Sequence, residues 1–161
     1  MLPSLSALLA PWADLYGGSL AISTAMATTH LAGMLVGGGF AIAADRATLR
    51  AIRRPTTLGH HLDELESIHR LVLLGLALTS ATGLFMFAAD FDALAGSSIF
   101  WAKMTVLGAL LVNGAWLRQS ARALRRGRSL AALRDRLAGS ARVSAVLWLA
   151  ALALGSILQI V

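Results

Sequence analysis

Of the fourteen lysines and arginines in this chain, thirteen fall within Arg46–Arg70 and Arg118–Arg142, and Lys103 alone lies inside an apolar stretch. An ammonium group in hydrocarbon costs at least about 2.5–3.5 kcal/mol on insertion scales. Such a lysine either snorkels past Trp101 to the lipid headgroups, or faces the interior of a helix bundle and holds an anionic group such as a ligand carboxylate. His30 is the corresponding ionisable residue of an earlier stretch. Met26, His30 and Met34 are four residues apart, so they share one helix face. Imidazole flanked by thioethers suits haem iron or Cu(I), and a lone histidine also serves as a hydrogen-bonded packing residue. Gly33, Gly37, Gly38 and Gly39 follow, with Gly33 and Gly37 forming a GxxxG. They allow another helix, or a flat ligand, to approach the backbone closely.

His60, His61 and His69 stand near Asp63, Glu64 and Glu66 without regular ligand spacing, which fits a solvated, interfacial role better than a metal site. His69 and Arg70 open an apolar stretch, and Asn113 lies about 6 Å inside the matching edge of the next one, at 1.5 Å per residue. All three are candidate cofactor contacts. The chain has no cysteine, which excludes disulfides, thiolate metal sites and cysteine nucleophiles. Neither a serine triad, a paired-carboxylate site nor a dinucleotide fingerprint is present. Gly37-Gly38-Gly39 lies in an apolar stretch and is not a phosphate loop.

The elements that must position these residues are membrane helices. The chain is 57% hydrophobic and 14% charged, with a mean hydropathy of +0.72, more apolar surface than one soluble core of 161 residues can hide. A bilayer core about 30 Å thick needs about 20 apolar helical residues. Four stretches qualify, at 18–44, 71–89, 93–117 and 143–161. The expectation is an all-α integral membrane protein, a four-helix transmembrane bundle forming one domain over residues 1–161. Asp90 and Asp92 mark a tight turn between the second and third spans. Arginines flank the spans rather than forming a patch interleaved with aromatics, which argues against nucleic acid as a partner.

Five arginines in Asp45–Arg70 and eight in Arg118–Arg142 place both segments in the cytoplasm and both termini outside an inner, or plasma, membrane. The first seventeen residues have no basic n-region, so a cleaved signal peptide is not expected. Leu5, Leu8, Leu9, Trp12 and Leu15 recur at helical spacing and predict a short interfacial helix on the outer surface. The cytoplasmic segments read as helical extensions, Ser120–Leu137 being basic and amphipathic and suited to anionic headgroups. His30 and Lys103 each lie fourteen residues from an inner helix end, at Ala44 and Leu117. Both therefore sit roughly 21 Å deep, in the outer half, in a layer that a like count on the second span extends to Met86. His30 and His69 differ in depth by roughly 20 Å and make a poor axial pair for one haem.

His30, the glycines after it, Asp45-Arg46, and Phe100-Trp101-Ala102-Lys103-Met104-Thr105-Val106-Leu107 with Asn113 carry a resemblance. This pattern resembles the HemJ-type protoporphyrinogen oxidases and the related CopD-type copper-resistance membrane domains, over the first and third spans. The family pattern usually has a further histidine near where this chain has Asn113. The resemblance implies haem b as cofactor, roles for His30, Arg46 and Lys103 in haem binding or activity, and a haem-dependent membrane oxidoreductase. Porphyrin or quinone is the substrate class it implies. The alternatives are a copper-handling protein using Met26, His30 and Met34, and a non-catalytic membrane subunit or assembly partner. Glycine-rich faces on short helices also predict a homodimer in the lipid bilayer.

Overall fold

A computed structural model describes residues 4–53, 58–158 and 160, with side chains described outside 58–66 and 130. His60 and His61 fall among those side chains and lie outside the description. The described chain is helical: α1 Leu5–Gly18, α2 Leu20–Arg53, α3 Leu58–Ala89, α4 Phe91–Gly96, α5 Ser98–Arg125 and α6 Leu130–Ile157. Four stretches, Leu20–Arg53, Ser67–Ala89, Ser98–Arg125 and Ala131–Ile157, are long and apolar enough to cross a membrane. The fold is an all-α membrane bundle. Its outer faces carry the side chains a bilayer solvates, among them Leu35, Leu74, Val112 and Val146.

The long helices run past the apolar stretches into the arginine segments, α2 to Arg53 and α5 to Arg125. A break occurs where Gly127 takes a φ of 85°, a left-handed conformation that glycine adopts without steric penalty. Ser129 then caps α6 by accepting from the Ala132 amide at 3.4 Å. The expected start of the third span at 93 is corrected. Residues 91–96 form the separate helix α4, and α5 begins at Ser98. Ser97 between them is extended (ψ 119°) and its hydroxyl accepts from the Phe100 amide at 3.3 Å, a cap that starts a new helix instead of continuing the old one.

Glycines set the packing of α2 on α3. A Cβ at Gly33 would lie 2.9 Å from the Gly75 carbonyl oxygen, and one at Gly75 would lie 2.7 Å from the Gly33 carbonyl oxygen and the Gly37 Cα. The two backbones touch, as small residues permit where lipid offers no hydrophobic drive for helix association. Trp148 of α6 lies over Gly38, 3.0 Å from where a Cβ would be. The choice left open between a helix and a flat ligand is thereby decided at Gly33, Gly37 and Gly38 in favour of packing. Ala41, Leu110, Trp148 and Ala151 form the core at mid-height, and Ile52, Leu133 and Leu137 a second cluster near the arginine segments.

α5 lies on α6, and α2 joins the α2–α3 pair to the α5–α6 pair. α3 and α5 meet at the ends that α4 joins, where Phe87 and Phe100 stack with centroids 4.7 Å apart and planes 8° apart. The short α4 connection forces that meeting. Helix α1 closes the same end: the Trp12 indole donates to the Phe85 carbonyl at 2.8 Å and packs on the Phe85 ring.

Candidate functional site

Pinned at one end by Phe87 and Phe100, α3 and α5 leave a groove at the other. Its cavity of 1410 Å³ has α3, α5, α2 and α6 for walls. Val72, Leu76, Leu110 and Trp148 line the deep part, while His69, Arg70, Arg118 and Arg122 stand at the mouth. Arg118 and Arg122, one turn apart on α5, lie close enough to His69 for their charges to act on it. An imidazole facing two guanidinium groups, beside an apolar chamber, is a seat for an amphipathic anion. Guanidinium pairs bind carboxylate or phosphate with two parallel hydrogen bonds each, and the apolar walls accept the rest of the molecule.

Asp45 adds a polar group to the groove wall. It is 3% exposed, Ser144 hydrogen-bonds one of its carboxyl oxygens, and the other has no partner. A buried acceptor without a donor costs about 1–3 kcal/mol. The sequence marks Asp45 as the residue after the first span and as part of the resemblance, not as a buried group. Its burial follows from the α2–α6 contact that also brings Trp148 onto Gly38, a contact with no sequence signature.

The His30–Lys103 layer is separate. His30 Nδ1 and Thr82 Oγ1 are 3.1 Å apart, and Thr79 donates to the His30 carbonyl at 3.4 Å. Thr82 also donates to the Leu78 carbonyl at 2.7 Å, so its hydroxyl is shared with its own helix. Lys103 points toward the last turn of α6: its Nζ lies 3.4 Å from where a Gly155 Cβ would be, and its charge acts on His30. The shared depth of His30 and Lys103 therefore corresponds to real proximity. The partner on α3 is Thr82, one turn inward of Met86. The site has no room for a flat macrocycle on the Gly83 side, where a Cβ would come within 3.1 Å of the His30 ring.

The remaining candidates disperse. Met26 and Met34 are half-buried along α2. A cation such as Cu(I) at His30 would sit beside the Lys103 ammonium, and among the described residues no three His, Asp or Glu side chains gather as a metal site. Asn113 is occupied by packing: its amide donates to the Ser140 carbonyl at 3.0 Å, and the Ser140 hydroxyl donates to its Oδ1 at 3.0 Å. Arg46 is exposed on another face of α2, beside Arg50, and reaches neither His30 nor the groove. His69 and Arg70 do line the groove, with Arg118 and Arg122, which the sequence presents only as topology signals.

Searches against protein-family models, curated proteins and solved structures find no match to this chain.

Proposed function

We propose that the chain is an inner-membrane haem- or porphyrin-binding protein with a redox role, and that the groove between α3 and α5 is its site. The observation that carries this reading is the meeting of His69 with Arg118 and Arg122 at the mouth of an apolar chamber of 1410 Å³. A tetrapyrrole dicarboxylate has a broad apolar body and two anionic arms, and the donor set suits both. His69 would ligate iron, Arg118 and Arg122 would pair with the carboxylates, and Leu76, Leu110 and Trp148 would cover the ring. Bound haem supplies one-electron chemistry; the chain sets its ligation, orientation and exposure. The HemJ-type resemblance supports the same class of ligand, with His69 taking the place that the resemblance gives to His30.

Arg70 of the first arginine segment and Arg118 and Arg122 of the second line the groove, so the positive-inside rule orients its mouth toward the cytoplasm and the two termini outward. A ligand then enters from the inner leaflet or the cytoplasm.

Haemin titration of the detergent-purified protein tests the reading. A Soret band saturating at one haemin per chain is expected. His69→Ala should change its position and weaken binding at least tenfold, whereas His30→Ala should leave both as in the wild type. A His69→Ala protein with an unaltered spectrum and affinity would remove the groove as the haem site.

A further inference from the structure

Arg46 and Arg50 are one turn apart on α2 and both exposed. With Gly39, Ile42 and Ala43 they line a notch of 330 Å³ whose described walls all belong to α2. The notch is open at Gly39, where a Cβ built on the backbone meets nothing within 4 Å. Continuing outward on the same face, one turn beyond Gly39, Leu35 is 77% exposed. The face thus runs from an apolar rail, through a recess, to two guanidinium groups, and the change from apolar to basic falls where the first span's uncharged stretch ends at Ala44.

We propose that this face of α2 is a binding site for one anionic phospholipid, its phosphate clamped between Arg46 and Arg50 and one acyl chain lying in the Gly39 recess along Leu35. Charge complementarity selects the occupant. The two cations follow the uncharged stretch that ends at Ala44, and among the described residues no carboxylate forms an ion pair with either. Guanidinium groups one turn apart offer parallel donors to a single phosphate. A membrane-facing arginine contributes roughly 1 kcal/mol toward an anionic surface, so two favour an anionic over a zwitterionic lipid by about 30-fold, or ~2 kcal/mol. The site does not depend on the haem reading, because it lies off the groove and shares no residue with it. It also gives Arg46 a task that the groove does not.

The chain lacks cysteine, so Leu35→Cys labelled with a small fluorophore reports on this face alone. The labelled protein is reconstituted in phosphatidylcholine vesicles containing a fraction of phosphatidylglycerol or phosphatidylcholine with a doxyl quencher high on one chain. Quenching by the phosphatidylglycerol probe should exceed that by the phosphatidylcholine probe, with a relative association constant of about 30. Arg46→Gln with Arg50→Gln should bring the ratio close to one. Gly39→Leu, which covers the acyl-chain track, should lower quenching by both probes severalfold and leave the ratio near 30, because both lipids carry the same acyl chains. Arg134→Gln with Arg142→Gln removes the same charge from exposed positions elsewhere and should leave the ratio unchanged. An unchanged ratio in the Arg46/Arg50 variant overturns the proposal, as does unchanged quenching by both probes in Gly39→Leu. An equal fall in the Arg134/Arg142 variant also overturns it, because the preference would then reflect net charge alone.

Discussion

Replacing Gly75 by alanine measures what the α2–α3 contact contributes, and Gly39→Ala is its internal standard. Both glycines are inside long helices, so both substitutions gain the same helix-propensity increment, about 0.5–1 kcal/mol. They differ in what the new methyl meets. At Gly39 it meets nothing within 4 Å; at Gly75 it meets the Gly37 backbone amide, and the Gly33 carbonyl oxygen and Gly37 Cα at 2.7 Å. All three are backbone atoms that no rotamer change can move, so α3 must back away from α2. Overpacking of this kind costs about 1–3 kcal/mol, and that is the expected difference in stability between the two variants. Steric-trap or denaturant unfolding in detergent, with both variants in the same micelle, provides the comparison. Separation of the helices should also break the Thr79 and Thr82 contacts to His30. If Gly75→Ala unfolds at the same point as Gly39→Ala, the helices do not touch at Gly33, Gly37 and Gly75, and the depth alignment of His30 with Thr82 falls with them.

Asn113→Ala removes two interhelical hydrogen bonds to Ser140 and should cost about 1–2 kcal/mol in the same unfolding assay. Ser140→Ala should cost a similar amount, the double variant little more, and haemin affinity should not change in any of them. Lys103→Met takes an ammonium out of an apolar stretch and should raise stability by ~1–3 kcal/mol. A drop in stability would show instead that an anion is held there. Reporter fusions at the C-terminus should be active outside, and those inserted at Gly127 active in the cytoplasm. A cytoplasmic C-terminus would invert the bundle and put the groove's mouth on the outer side.

The four spans were readable because long uncharged stretches bounded by arginine admit few other structures, and their continuation into the arginine segments followed from leucine spacing such as Leu133 and Leu137, both buried. Helix α4 was not readable: six residues give less than two turns, too few for a period to show. Counting from the helix ends brought His30 and Lys103 to one level because both counts began at the same surface. The α3 partner came out one turn off, since the glycine crossing, not the helix end, sets that register. The groove had no linear signal. It arises from the splay of α3 from α5, which depends on Phe87 meeting Phe100 across α4, and it gathers residues from 41 to 148. Asn113 was a candidate by its depth near a span edge, and Arg46 by the family resemblance. Neither says which face of a helix a neighbour covers, and that decided both.

The Phe87–Phe100 stack also has a mechanical meaning. It acts as a fulcrum, with α5 as the lever arm. From Phe100 to Arg122 is twenty-two residues, about 33 Å of helix at 1.5 Å each. Rotating that arm by about 5° about its Phe100 end carries the guanidinium groups at the other end through about 3 Å. Small changes in tilt, such as bilayers of different thickness impose, are thereby magnified at the arginine end and scarcely felt at the aromatic one. The width of the chamber's mouth thus depends on the tilt of α5 far more than the aromatic contact does.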